Sequence, residues 1–225
     1  MKIHMPVLTA AAALVAGLGT ALQVQAQEAF ASEVTNMFRG EAPGSQPGEW
    51  YGGSLTGSFP VVFTPAQAQT AVLGAADGIF TTLPGVGPQE PGTAFRGAYI
   101  EVGFGRNFGA ETVLTVYEAI RSDEEASIWV WFLDGGFLQL STEGRAGDAV
   151  QFDLRSYADV LASHGGAFTR VGIGGVDVGG SSQGFDLDAV SITPIPEPET
   201  YALMLAGLGA VAARGWIKRA RSKEA

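Results

Sequence analysis

Ile128-Trp129-Val130-Trp131-Phe132 reads as a strand with two unlike faces. Side chains two apart along a strand share a side, so Ile128, Val130 and Phe132 form one row and Trp129 and Trp131 the other. Residues 113–117 divide the same way, with Val113, Thr115 and Tyr117 opposed to Leu114 and Val116. Working outward, runs of β-branched and aromatic residues recur at 54–64, 98–104, 112–121, 126–133, 137–141, 149–154, 169–173 and 188–193. Gly, Asp and Pro turns separate them at spacings of about ten residues. Residues 34–38 suit a short strand or one turn of helix. Inside this region only 66–73 and 157–163 have helical character, and no internal repeat is present. The expectation is an all-β domain, an antiparallel β-sandwich or jelly roll built from two packed sheets.

The two ends of the chain differ from this pattern. Lys2 and His4 precede an apolar run at 7–22, and Val24-Gln25-Ala26 places small residues where a signal peptidase reads them. Residues 1–26 are therefore expected to be a signal peptide with a helical core, cut after Ala26. A cut after Ala31, within Ala29-Phe30-Ala31, is one alternative, and an uncleaved N-terminal anchor is another. At the other end, Pro194, Pro196 and Pro198 cannot donate ladder hydrogen bonds and should terminate the folded domain. Residues 200–213 carry no charge and suit a short transmembrane helix, and a basic cluster follows at 214–223 (Arg214, Lys218, Arg219, Arg221, Lys223). Such a cluster halts translocation and stays cytoplasmic. The division is thus 1–26, a β-sandwich at 27–193, and a tail at 194–225. An apolar segment of 14 residues, read from 200–213, spans about 20 Å as a helix against ~30 Å of bilayer core. It suits a brief stay in the membrane better than a permanent one.

Between 27 and 195 the chain carries 20 acids, 7 arginines and no lysine, a formal charge of −13. Such a surface repels nucleic acid and anionic lipid, and it repels acidic polysaccharide unless divalent cations bridge the two. Cysteine is absent. An exported domain of this kind must be held by its core or by a metal, and cysteine catalysis and thiolate metal sites are excluded.

Two constellations stand out. Asp186 and Asp188 flank Leu187, which a strand would send into the core while both carboxylates share the other face. With Asp77 beside Gly78, and with Asp177 in the glycine-rich 172–180 stretch as a weaker partner, they are candidate ligands for a structural Ca²⁺ completed by loop carbonyls. The alternative is that these acids cap turns and face water. The second constellation is the Trp129/Trp131 face. A pair of indoles two apart makes a platform on which sugar rings stack, with Glu118 or Gln139 to bind hydroxyls. The alternative is burial in the core, and the same ambiguity holds for Trp50, Tyr51 and Tyr99. Enzyme signals are poor. His164 adjoins Ser163, a spacing that prevents a nucleophile–base pair. Asp186 and Asp188 as a glycosidase acid and base complete the alternatives.

Two resemblances add to this reading. Pro196-Glu197-Pro198, then Thr200-Tyr201-Ala202-Leu203-Met204-Leu205-Ala206-Gly207-Leu208-Gly209, then the Arg/Lys cluster resemble the PEP-CTERM sorting domain. The resemblance implies export across the inner membrane of a Gram-negative bacterium that makes exopolysaccharide. It also implies a membrane-embedded exosortase acting near the Pro-Glu-Pro, and a surface destination after transient anchoring. Over 66–193, three short pieces resemble bacterial cell-surface domains with a galactose-binding-like jelly roll. They are Leu73-Gly74-Ala75-Ala76-Asp77-Gly78, Val116-Tyr117-Glu118 with Asp134-Gly135, and Gly184-Phe185-Asp186-Leu187-Asp188-Ala189-Val190. That resemblance brings Glu118 across the sheet towards the aspartates. The chain departs from the group at 129–133, where less aromatic residues are usual. The expected protein is a non-catalytic surface or matrix β-sandwich that binds or organises extracellular polysaccharide. The alternatives are a structural surface protein with no specific ligand and a polysaccharide hydrolase.

Overall fold

The protein's structure, a computed structural model, describes residues 27–40, 49–57, 59–85, 95–119, 125–140, 149–176 and 184–195, with Gly207 and Gly209. The strands are β1 (Ala29–Phe30), β2 (Glu33–Phe38), β3 (Trp50–Ser54), β4 (Val61–Phe63), β5 (Ile79–Leu83), β6 (Tyr99–Gly103), β7 (Thr112–Glu118), β8 (Glu125–Phe132), β9 (Phe137–Leu140), β10 (Ala149–Asp153), β11 (Phe168–Val176) and β12 (Phe185–Pro194). Two short helices interrupt them, α1 (Pro65–Thr70) and α2 (Ala158–Ser163), the latter entered through a 3-10 turn at Leu154–Tyr157.

The strands form a seven-stranded sheet, ordered β10-β7-β12-β5-β3-β4 with β1 added on β12, and a five-stranded sheet, β2-β6-β11-β8-β9. Every ladder among the described residues is antiparallel. From β5 onward the chain crosses between sheets at every connection but one, the β8–β9 hairpin. This is the β-sandwich that the alternating runs lead one to expect.

The faces divide as the periodicity requires. Ile128, Val130 and Phe132 of β8 join Ile100, Val102, Val171 and Ile173 from the same sheet and Leu114, Val116, Leu187 and Ile192 from the other in one buried cluster. At one end, Phe168 packs between Phe108 and Phe132, with ring centroids 5.5 and 5.6 Å away. Phe108 and Phe168 also exchange backbone hydrogen bonds of 3.0 and 2.8 Å. β11 needs its glycines. A Cβ on Gly175 would strike the backbone of Leu83, so the two sheets approach there more closely than any other residue allows. The helices are local solutions. Thr64 and Gln67 form a reciprocal capping box around Pro65, which has no amide hydrogen to leave unpaired.

Several boundaries depart from expectation. The run 54–64 is a hairpin rather than one strand. Ser54 ends β3, Gly57 donates its amide hydrogen back to the Ser54 carbonyl at 3.0 Å, and pairing resumes in β4. β3 begins earlier, at Trp50, and β5 lies where no strand was expected, in the middle of the larger sheet. Residues 34–38 belong to a strand. Ala26, Pro196, Glu197, Pro198, Asp177, the 1–26 leader and the basic cluster lie outside the described residues. Within 200–213, Gly207 and Gly209 are described, and both are helical. No helix among the described residues is long and apolar enough to cross a membrane.

Candidate functional site

The outer face of the five-stranded sheet carries the tryptophans. Register sets three rows across it. Tyr99 on β6 faces Gly174 on β11, and Gly174 faces Ser127 on β8. Glu101, Gly172, Trp129 and Gln139 make the next row, on β6, β11, β8 and β9. Arg170, Trp131 and Phe137 make the third. The glycines decide how the indoles lie. A Cβ on Gly172 would fall inside the Trp129 ring system, so Trp129 lies flat across β11 towards β6. Tyr99 meets it edge-on at 5.7 Å, and Phe95 covers it at 5.4 Å while occupying the space above Gly174. Trp129 is consequently only 8% exposed. It is buried as one alternative held, but against the outside of its sheet and not in the core between the sheets.

Trp131 is different. It is half-buried, with Phe137, itself 58% exposed, 5.4 Å away. The Arg170 guanidinium sits 4.2 Å from the centroid of the indole, a cation–π contact. Arg170 Nε donates to Glu101 Oε2 at 3.0 Å, and Glu101 is nearly fully buried. Among the described residues, the terminal nitrogens of Arg170 make no hydrogen bond and the buried Trp131 Nε1 has no partner. Gln139 donates to Ser127 Oγ at 3.0 Å. Sequence reasoning named Trp131 and Gln139 but missed Arg170 and Glu101, which lie 69 positions apart. Their signal was weak, an arginine and a glutamate each inside an otherwise uncharged strand.

Glu118 does not join this face. It ends β7 in the seven-stranded sheet, opposite Leu187, and is buried. Although 118 and 129 are close in sequence, β7 and β8 belong to different sheets, so Glu118 stands away from the indoles.

Asp188 and Asp77 meet at another corner, while Asp186 is bound from the neighbouring strand. Leu187 enters the core as expected and is fully buried. Asp186 accepts the Thr82 hydroxyl hydrogen at 2.5 Å from the neighbouring strand. A register shift between Leu187 and Ala189 sets Asp188 out of the β12–β7 ladder, as a bulge does. Its two oxygens accept the amide hydrogens of Asp77 and Gly78, at 3.2 and 3.0 Å. Asp77 in turn accepts the Ile79 amide hydrogen at 2.9 Å. The early loop and the last strand are thus joined by hydrogen bonds. Among the described residues no three His, Cys, Asp or Glu side chains gather as a metal site. Burial pushes the Asp188 carboxyl pKa up, the Gly78 and Asp77 amides pull it down, and the Asp77 charge raises it again. The folded state therefore holds this proton more tightly than the unfolded chain does. The carboxyl favours folding most below its unfolded pKa, and that contribution declines as pH rises towards the raised folded value.

His164 Nδ1 lies 2.7 Å from Asp134 Oδ2 on the surface, stacked on Phe132 at 4.3 Å. The His164 contact and the Gly136 amide hold the Asp134 pKa down. Ser163 donates its hydroxyl hydrogen to the Val160 carbonyl within α2, away from any such pair.

Residues 194–219 match the PEP-CTERM protein-sorting motif. The motif implies an exported, envelope-associated protein of a Gram-negative bacterium, processed by an exosortase. No curated protein matches the chain. Among solved structures, a xylan-binding module, CBM15, is similar to 74% of this chain and 99% of its own length, at 15% identity and a TM-score of 0.31. A likeness at that score carries no argument about ligand.

Proposed function

We propose that the β-sandwich is a non-catalytic module of the envelope or extracellular matrix. An exosortase separates it from its tail near Pro196-Glu197-Pro198, and it binds extracellular polysaccharide on the outer face of the five-stranded sheet. The observation that carries this reading is the half-open Trp131 outside the sandwich, beside exposed Phe137 and the free guanidinium ends of Arg170. Nothing in the inter-sheet core requires an aromatic there. Aromatic surface next to hydrogen-bond donors is the combination that holds a sugar ring and its hydroxyls. The glycan would be neutral. Glu101 already balances Arg170, and the domain as a whole is near −13, so an acidic polymer meets repulsion.

Affinity electrophoresis in gels containing the producing bacterium's own polysaccharides tests this. The domain should be retarded by a neutral fraction, and Trp131→Ala should abolish the retardation while leaving the melting temperature within a few degrees. A folded domain that no fraction retards would make it a structural surface protein without a specific ligand. Release of reducing ends would make it a hydrolase.

The Asp188 corner carries a second proposal, a structural calcium supported by Asp77 and Asp188 with backbone carbonyls completing its shell. A divalent ion there would offset both the burial and the Asp77 charge that raise the Asp188 pKa. Calorimetry with millimolar Ca²⁺ should then give binding heat and a higher melting temperature, both lost in Asp188→Asn. Absence of both in the parent protein would leave the Asp77 and Gly78 amides as the whole of the clamp.

A further inference from the structure

Gln27 is exposed and makes no hydrogen bond to another described residue, yet the chain becomes tightly held immediately after it. The Glu28 carboxylate accepts hydroxyl hydrogens from Tyr117 at 2.7 Å and Ser191 at 2.5 Å. Ala29 and Phe30 pair with Ile192 and Ser191. Ala31 is 2% exposed. Its amide hydrogen goes to the Val190 carbonyl at 2.8 Å, and its carbonyl accepts from Gly74 at 3.0 Å. A cut after Ala31 would strip β1 and Glu28 from the sandwich, whereas a cut after Ala26 leaves every one of these contacts in place. The fold thus favours Gln27 as the first residue of the mature protein.

We infer that Gln27, once freed by the signal peptidase, closes to pyroglutamate, and that the mature domain then contains no primary amine at all. The inference rests on the processing already proposed at both ends. The chemistry needs no partner. The α-amine has a pKa of about 7.7–8.0, so a useful fraction is neutral near pH 7. Its nitrogen attacks Cδ of its own side-chain amide, forming the N–Cδ bond of a five-membered lactam. The Cδ–Nε2 bond breaks, and ammonia leaves with the proton that the amine loses. No oxidant or reductant takes part. Reaction within one residue carries no cost of bringing two molecules together, and the exposed Gln27 is free to turn back on itself. Glu28 is a poor substitute were the cut one residue later, because its carboxylate is held by Tyr117 and Ser191.

The second half follows from where the lysines are. The chain has them only at Lys2, Lys218 and Lys223. Lys2 departs with the leader, and the other two depart with the sorting tail. The seven cations between 27 and 195 are all arginine, whose guanidinium stays protonated and does not behave as a free amine. With the N-terminus closed, no group remains that condenses with the aldehyde ends of reducing sugars. A protein lodged among polysaccharide chains would then be inert to the slow carbonyl–amine chemistry of its surroundings.

Mass spectrometry of the mature protein recovered from the producing bacterium, combined with an amine-reactive ester, tests both parts. The expected N-terminal peptide begins at residue 27, is lighter by one ammonia than its sequence requires, and takes no label. Gln27→Ser keeps a cleavable junction and cannot cyclise, so that variant should take a single label at its N-terminus. A parent chain that starts at Gln27 and labels as readily as Gln27→Ser overturns the inference while leaving the cleavage site intact. A chain that starts elsewhere overturns the leader assignment and the inference with it. Labelling at Lys218 or Lys223 shows that the tail is retained and ends the amine-free claim.

Discussion

Phe168→Ala should remove about 3–5 kcal/mol of stability, the range for deleting a fully buried phenylalanine. Phe168 is completely buried, packs against Phe108 and Phe132, and opens β11, the central strand of the five-stranded sheet. The surrounding rings are fixed by their own packing and by the paired backbone of Phe108, so the cavity cannot collapse far. Against the 5–15 kcal/mol that holds a typical domain together, roughly, the loss leaves a marginal fold. Urea unfolding at fixed pH measures it. The midpoint should fall sharply at nearly constant slope, and a loss below about 1 kcal/mol would mean that the aromatic end is not a structural centre.

Gly172→Val should be comparably damaging, for the opposite reason. The new side chain would enter the volume held by the Trp129 indole, which Tyr99 and Phe95 prevent from moving aside. Overpacking costs about 1–3 kcal/mol, and more where the neighbour cannot move. The informative measurement is a cycle. Trp129→Ala alone should destabilise, by loss of buried aromatic area, and Gly172→Val with Trp129→Ala should be more stable than the sum of the two single effects predicts. Strict additivity would show that the indole does not lie on Gly172. Because Trp129 supports the sheet, its replacement is a poor probe of ligand binding, and Trp131 is the better one.

Much of this architecture was legible in residues 128–132, because strand alternation is a local property and a buried face must be apolar along its whole length. The two-sheet fold and the core row Ile128-Val130-Phe132 follow from it. β5 was harder to see. Ile79–Leu83 is a short run wedged between Gly78 and Pro84, and its threonines look like surface residues until neighbours cover both sides of the strand. The tryptophan face was half legible. Its direction came from the same alternation, but its roof is Phe95, a loop residue whose place depends on Gly174 having no side chain. The arginine on Trp131 and its glutamate come from strands whose pairing no local pattern reveals. Asp188 was recognised as unusual, yet its partners are backbone amides, which every residue but proline carries and no sequence can single out.

One feature of the larger sheet bears on mechanics. β12 is the strand that leads into the tail, and it is an interior strand, bonded to β7 along one side and to β5 and β1 along the other. A pull applied to the C-terminal end of the domain enters at Pro194, the last residue of β12. An edge strand would peel away one hydrogen bond at a time. An interior strand loaded along its axis must shear both flanking ladders together, and the rate of forced unfolding is set by that barrier. An axial pull on β12 therefore meets more resistance than the same pull on an edge strand would.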